Sequence, residues 1–111
     1  MKRGEIYTAA TGHGFGSKPR PVVIVQGDEF CHMSKILVAP IGSSVDLDED
    51  IRVAVAPDPG NGLKARSEIM IDTIMPVRVG NFGSYVGLLA DSDIRRVDIA
   101  LLTFLGFARP S

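Results

Sequence analysis

Basic and hydroxyl side chains recur at the ends of apolar, strand-like segments of this sequence. They are Lys18, Arg20, Ser43, Ser44, Lys64, Arg66 and Ser67, with one carboxylate, Asp72, following soon after. If the segments are neighbours in one sheet, these side chains converge on one edge and form a groove. A guanidinium group can bond two phosphate oxygens at once, and hydroxyls can position the same phosphate. From the residues alone, scattered, solvated surface charges are the stronger interpretation, and a groove for a phosphodiester ligand is the alternative.

Other site chemistries have little support in the sequence. No Gly-x-Ser-x-Gly elbow occurs, and Cys31 is followed by His32, whose side chain would point to the other face of a strand. The glycines at positions 12, 14 and 16 fit no nucleotide-binding pattern and suit a flexible loop. Because His, Cys and Asp do not cluster at ligand spacing, the sequence predicts no metal site and no cofactor.

Length and composition set the limits of the problem. The 111 residues suffice for one domain, spanning 1–111. The composition is 45% hydrophobic and 23% charged, which indicates a folded chain rather than a disordered one. A formal net charge of -1 gives no global attraction to nucleic acid, so the basic residues must gather on one face to bind RNA. The start lacks the apolar stretch of a signal peptide, and no run approaches the roughly 20 apolar residues of a membrane span. A cytoplasmic protein without a membrane partner is expected.

The elements that must position these side chains are mostly short strands. Strand-like segments span residues 5–10, 22–26, 35–41, 52–55, 67–74 and 85–88. Segment 22–26 is rich in β-branched residues and does not alternate, which predicts a strand buried on both faces, and Pro21 should stand where it begins. Turn residues at 57–62 and 80–83 separate the later segments.

The C-terminal segment is the one convincing helix. Its apolar residues recur at three- and four-residue spacing and are Ile94, Val97, Leu101, Phe104 and Leu105. Asp91 or Ser92 can cap its start, and Gly106 stands where a left-handed stop is expected. The sequence thus predicts an α+β fold or small barrel, with five or six mostly antiparallel strands covered by a C-terminal helix.

Five short motifs in this order resemble the MazF/PemK toxin family. Residues 3–7 (Arg-Gly-Glu-Ile-Tyr) are similar to its opening, and residues 20–26 (Arg-Pro-Val-Val-Ile-Val-Gln) are the most specific match. Residues 38–41 (Val-Ala-Pro-Ile) with the hydroxyls after them, then Gly62-Leu63 with Ser67 and Asp72, and finally the closing helix, complete the resemblance from residue 3 to residue 105.

The resemblance implies a small SH3-like barrel of the CcdB/PemK type, forming a homodimer that binds single-stranded RNA across its interface. It also implies metal-independent, sequence-selective endoribonuclease activity on mRNA. The ribose 2′-oxygen would attack its own phosphate and leave a 2′,3′-cyclic phosphate. The implied partner is a MazE-like antitoxin whose disordered segment occupies the same groove.

The resemblance also assigns roles to single residues. Arg20 would stabilise the phosphorane, and Ser43 would replace a family Thr whose position is taken here by Gly42. Asp72 would be either a base or a structural carboxylate, because some members have an Arg where this chain has Met70. His13, where some relatives carry a His, is either a peripheral RNA contact or without a role. The remaining candidate RNA contacts come from the groove pattern and are Lys18, Ser44, Lys64, Arg66 and Ser67.

Two alternatives stay open at this stage. One is a CcdB-like toxin that inhibits DNA gyrase. The presence of Arg20 favours the endoribonuclease over this alternative. The other is a catalytically silent dimeric member, which the Gly42 departure keeps possible. Whichever function holds, a homodimer is expected, because Ile69, Met70, Ile71, Ile74, Phe104 and Phe107 offer more apolar surface than one small domain can hide.

Overall fold

The structure, a computed structural model, describes residues 1–11, 18–42 and 51–108. These residues form seven β-strands and one α-helix. They are β1 Glu5–Ala9, β2 Arg20–Ile24, β3 Lys35–Gly42, β4 Arg52–Val55, β5 Ser67–Met70, β6 Met75–Arg78, β7 Phe82–Leu88 and α1 Asp91–Phe104. Short 3₁₀ turns occupy Asp28–Phe30, Ile71–Thr73 and Val79–Asn81. Within this part of the chain, no helix is long and apolar enough to cross a bilayer.

The strands form one antiparallel sheet in the order β4-β5-β3-β2-β1-β7, with β6 paired to β3 beside this path. Strand β3 is shared, since its first half pairs with β6 and its last two residues pair with β5. The predicted antiparallel sheet with a C-terminal helix is confirmed.

The described residues contain one strand more than the sequence predicted, and one predicted strand is shorter than expected. The extra strand is β6, in which Pro76 lacks a backbone N–H and weakens the strand pattern. The segment 67–74, expected as one strand, ends as β5 at Met70 and continues as the 3₁₀ turn Ile71–Thr73. The turn buries Ile71, whose N–H donates to the carbonyl of Ile51 at 3.1 Å.

Two apolar clusters lie on the two faces of the sheet. The cluster under α1 comprises Ile6, Val23, Val25, Ala39, Ile41, Val53, Val55, Ile69, Ile71, Leu89, Val97 and Ala100. The cluster on the other face comprises Ala9, Val22, Ile24, Ile36, Val38 and Val77. Residues of β2 therefore enter both clusters, as the β-branched segment predicted. Burial of each such Val or Ile side chain stabilises the fold by about 1.5–3 kcal/mol.

The two ends of α1 differ in how well the sequence predicted them. Its end is confirmed: Gly106 has φ 84°, its N–H donates to the carbonyl of Thr103, and the N–H of Phe107 donates to that of Leu102 at 2.8 Å. This is a Schellman arrangement. The predicted cap is wrong, because the N-cap is Ala90, which makes no side-chain capping bond.

The start of α1 follows from tertiary docking rather than from a capping side chain. The N–H of Leu89 donates to the carbonyl of Gly4 at 3.0 Å, and Leu89 is buried, so the chain leaves β7 at a fixed point. Asp91 then lies in the first turn, where a carboxylate favours the helix dipole.

The apolar surface expected for a dimer is also revised. Ile69 and Ile71 are fully buried in the protein's own core, so they offer nothing to a partner. Phe104 and Phe107 are exposed as expected. Further exposed apolar side chains, Ile99, Leu102 and Leu105, extend this surface along the outer face of α1.

Candidate nucleic-acid interface

One edge of the sheet, formed by the starts of β2 and β5 and the end of β3, holds three of the predicted polar residues, Lys18, Arg20 and Ser67. Because neighbouring strands are antiparallel, β2 and β5 begin at the edge where β3 ends. The register pairs Val22 with Pro40, and its continuation places Arg20 opposite Gly42, which is itself paired with Glu68. The starts of β2 and β5 are thus two strand spacings apart, or about 10 Å. The predicted convergence of Arg20 and Ser67 on one edge is what the topology produces.

Arg20 lies at the rim of the sheet face opposite α1. It is exposed and pairs with the buried Ala9 of β1. Pro19 and Pro21 flank it and restrict the backbone on both sides, so the guanidinium group projects from a stiff base. Lys18 is exposed two residues earlier, on the chain leading into this edge.

Three of the predicted contacts, His13, Ser43 and Ser44, lie outside the described residues. Gly42, the residue before Ser43, lies beside Met70, which stands where some family members have an Arg. A Cβ atom built on Gly42 would lie 3.2 Å from Cε of Met70. The side chain of Met70 therefore occupies the room beside position 42, and the two departures are packed against each other.

A rigid turn precedes Lys64 and Arg66. Its centre is the fully buried Asn61, whose Oδ1 accepts from the N–H groups of Asp58 and Leu63 at 3.2 and 2.9 Å. The Nδ2 group of Asn61 donates to the carbonyl of Ala56 at 2.9 Å. These bonds satisfy the polar atoms of a buried amide and fix the path of the loop.

The same turn is docked tightly on β7. The carbonyl of Gly60 accepts from the N–H of Leu88 at 2.9 Å. Gly62 has φ 70°, and a Cβ atom there would lie within 2.1 Å of the carbonyl oxygen of Val86. Only glycine combines this backbone angle with this approach. The Gly62-Leu63 motif thus has a structural reason, because it sets where the following basic residues begin.

The basic residues after this turn do not all face Arg20. Arg66 lines an open cleft of about 420 Å³ between the end of β4 and the first turn of α1, which Ser92 and Arg96 also line. Lys64 is exposed, and the hydroxyl of Ser67 donates to the carbonyl of Ala65 at 2.9 Å. Ser67 thus begins β5 at the Arg20 edge, but on the α1 side of the sheet with Ile69, whereas Arg66 lines the cleft beside α1.

Asp72 lies apart from this edge, beyond the opposite end of β5. Its carboxylate contacts Arg52, with Nε to Oδ1 at 2.9 Å and Nη2 to Oδ2 at 3.0 Å. Arg52 stands directly opposite Met70 in the β4–β5 register. A guanidinium group thus reaches Asp72 from the neighbouring strand. Sequence reasoning missed Arg52, since a cross-strand pairing leaves no local pattern.

Two further features of the Arg20 face were missed. Glu68, opposite Gly42, is buried. On β1, the ring of Tyr7 makes T-shaped contacts with Phe82 and Tyr85 of β7, at centroid distances of 5.9 and 5.4 Å. Burial, followed by the nearby Glu5 carboxylate, raises the pKa of the Tyr7 phenol. Within the described ranges, no group of three His, Cys, Asp or Glu side chains could hold a metal ion.

Comparisons with known proteins found a matching family and a similar protein. Residues 2–105 match a family described as PemK-like, MazF-like toxin of type II toxin-antitoxin system. The chain is 42% identical over 109 residues to a probable endoribonuclease MazF of Mycolicibacterium smegmatis, covering 97% of this chain and 99% of the relative.

Solved structures show a similar fold. An endoribonuclease in complex with its cognate antitoxin, from a mycobacterial species, superposes with a TM-score of 0.80 at 22% identity, covering 99% of both chains. The Mycobacterium tuberculosis toxin MazF-mt6 superposes with a TM-score of 0.77 at 26% identity, covering 92% of this chain and 96% of that toxin.

Proposed function

This chain belongs to the PemK-like, MazF-like toxin family of type II toxin–antitoxin systems, and from that membership we propose that it cleaves single-stranded RNA at selected sequences without a metal cofactor. The resemblance predicted from its motifs is confirmed, and with it the activity class, an endoribonuclease toxin. The observation that carries the finer proposal is Arg20, fixed between two prolines where β2, β3 and β5 meet.

The proposed reaction is an internal transfer of the phosphodiester. The 2′-oxygen forms a bond to the adjacent phosphorus, its proton leaves, and the bond from phosphorus to the 5′-oxygen breaks. The 5′-oxygen takes up a proton, which gives a 2′,3′-cyclic phosphate and a 5′-hydroxyl. Since the nucleophile belongs to the substrate, the protein must chiefly stabilise charge on the crowded phosphorane.

Arg20 is the proposed group for that task, because its planar fork can bond two phosphorane oxygens. It is a poor acid or base, since an ordinary guanidinium group stays protonated. Ser43 follows Gly42, the residue opposite Arg20, and is proposed to contact the same phosphate in place of the family Thr.

Of the two roles considered for Asp72, a catalytic base and a structural carboxylate, the structural one is proposed. Its two contacts with Arg52 support that role, as does its position beyond the far end of β5. Such a pair ties the 3₁₀ turn to β4 and is poorly placed to accept a proton at Arg20.

The RNA is proposed to follow the basic edge. Lys18 precedes Arg20 by two residues, Ser67 stands at the same edge about 10 Å away, and Lys64 and Arg66 would extend the path toward β4. His13 and Ser44 remain proposed contacts by their sequence positions. With a net charge of -1, attraction would come from this local surface, and salt should weaken it.

Two protein partners are proposed. A second copy would cover the exposed apolar face of α1, forming a homodimer across which RNA binds. A MazE-like antitoxin would occupy the RNA groove, since a structure of similar fold is an endoribonuclease in complex with its cognate antitoxin. As its target is mRNA, the proposed location is the cytoplasm.

Incubation of the purified protein with a long RNA in EDTA tests this function. Discrete fragments ending in cyclic phosphate are expected, with Arg20→Ala as the inactive control. Intact RNA together with inhibited gyrase would instead support a CcdB-like toxin. Intact RNA with unaffected gyrase would support a catalytically silent member, as Gly42 in place of the family Thr allows.

A further inference from the structure

An aromatic cluster stands beside the Arg20 edge and has no part in the proposed chemistry. It consists of Tyr7 on β1 with Phe82 and Tyr85 on β7. Tyr7 and Phe82 pack against the apolar cluster of the face opposite α1, whereas Tyr85 is 56% exposed. More than half of the Tyr85 side chain is therefore open to solvent while its aromatic neighbours are packed.

The register places this cluster on the same face as Arg20. Ala9 pairs with Arg20 on one side and with Phe82 on the other, so the three form a row across β2, β1 and β7. Tyr7, two residues before Ala9, points to the same face and pairs with Tyr85. Arg20 and the aromatic strand are therefore two strand spacings apart, about 10 Å.

The ring of Tyr7 supports that of Tyr85 from the neighbouring strand. The ring of Tyr7 meets it at an interplanar angle of 78°. The hydroxyl of Tyr7 donates to Oε1 of Glu5 at 3.3 Å, which orients the supporting ring.

The strand that carries Tyr85 is also held in place. β7 bulges against β1 between Phe82 and Tyr85, and there the N–H of Ser84 donates to the hydroxyl of Thr8 at 2.9 Å. A Cβ atom on Gly83 would lie 2.5 Å from that hydroxyl oxygen. The bulge therefore aims a supported ring outward.

We propose that Tyr85 is a base-stacking subsite, on which a nucleobase of the RNA flanking the scissile phosphate lies against the exposed ring. This inference rests on the proposed function, and it names a residue that holds the substrate. Single-stranded RNA is bound in this way because every base has a π-face, and a nearby guanidinium group holds the phosphate. A ring held rigid in advance loses little entropy when the base arrives.

The test begins by mapping where the parent protein cleaves a long RNA in EDTA. A short oligonucleotide around one such site is then made in several forms, each with an abasic nucleotide at one flanking position. Tyr85→Ala, Tyr85→Phe and Phe30→Ala are compared with the parent by kcat/KM. Phe30 is the matched control, because it is 54% exposed on the separate turn Asp28–Phe30.

Tyr85→Ala is expected to lower kcat/KM about 5- to 150-fold, mainly through KM, as for the loss of one stacked base. Tyr85→Phe, which keeps the ring, and Phe30→Ala should stay close to the parent. At one flanking position, the abasic substrate should lower kcat/KM of the parent by the same factor. It should change kcat/KM of Tyr85→Ala little, because both changes remove the same contact.

The proposed stacking subsite is wrong if Tyr85→Ala cleaves RNA with the same kcat/KM as Phe30→Ala. It is also wrong if, for every abasic substrate, the loss of kcat/KM caused by Tyr85→Ala is as large as it is for the intact substrate. It fails also if Tyr85→Ala loses activity by becoming monomeric, as size-exclusion chromatography would show, since Tyr85 would then bind a protein. Circular dichroism checks folding. Absence of cleavage by the parent itself would instead refute the proposed function.

Discussion

Arg52 and Asp72 are joined by two parallel contacts, from Nε to Oδ1 and from Nη2 to Oδ2. Arg52 begins β4 and faces Met70, two residues before Asp72. The pair therefore links the start of an edge strand to the turn after its neighbour. The side chain of Arg52 is 14% exposed, whereas that of Asp72 is 29% exposed. Such a paired arrangement of guanidinium and carboxylate is stronger than an isolated surface contact.

Asp72→Asn is expected to cost stability and to spare catalysis. Loss of the charged contacts should lower the free energy of unfolding by about 1–3 kcal/mol. Urea denaturation measures that loss, and cleavage of RNA is then compared well below the unfolding transition. A variant as stable as the parent that no longer cuts RNA would make Asp72 a catalytic group.

Arg20→Ala is expected to reduce cleavage roughly 100- to 1,000-fold, as does removal of one preorganised charge donor in other enzymes. Its fold should be unchanged, since an exposed Arg at a strand end contributes little to stability. Arg20→Lys should recover only part of the rate, because an ammonium group lacks the planar fork.

The control for Arg20 is Arg78→Ala, which removes an exposed Arg from the end of β6. It should cut one RNA oligonucleotide at nearly the parent rate. Equal losses in both variants would mean that net charge, and not the position of Arg20, governs cleavage.

Gly62→Ala is expected to be far more damaging than Gly106→Ala, although both residues have positive φ. A Cβ on Gly106 meets nothing within 4 Å, so that change should cost only about 1 kcal/mol of backbone strain. The same atom on Gly62 would collide with the carbonyl of Val86, which should cost about 3 kcal/mol or more. Urea denaturation of both variants measures the loss in free energy of unfolding. Similar losses in the two variants would show that the turn is not docked on β7 as described.

Ile99→Asp is expected to separate a homodimer into monomers. Ile99 is 65% exposed on the outer face of α1, and a symmetric interface would contain it twice. The dimer dissociation constant should rise by about 100-fold or more, with a loss of RNA cleavage. Multi-angle light scattering at micromolar concentration gives the mass, with the exposed Met33→Asp as control. A monomeric parent, or an Ile99→Asp variant that stays dimeric, would contradict this interface.

The sequence alone determined the features that depend on near neighbours. β-Branched residues after Pro21 gave a strand with residues in both cores, and Gly106 ended the helix because only glycine adopts positive φ without cost. The motifs also identified the family and pointed to Arg20. These signals are local, since each rests on backbone angles or on the apolar pattern of a few residues.

Tertiary structure decided which side chains meet. Ser67 and Asp72 are close in sequence, yet they stand at opposite ends of β5, because each residue of an extended strand advances the chain by more than 3 Å. Arg52 reached Asp72, and Tyr85 reached Tyr7, through strand register alone. Register is fixed by which faces must be buried across the whole sheet, so no window along the chain contains it.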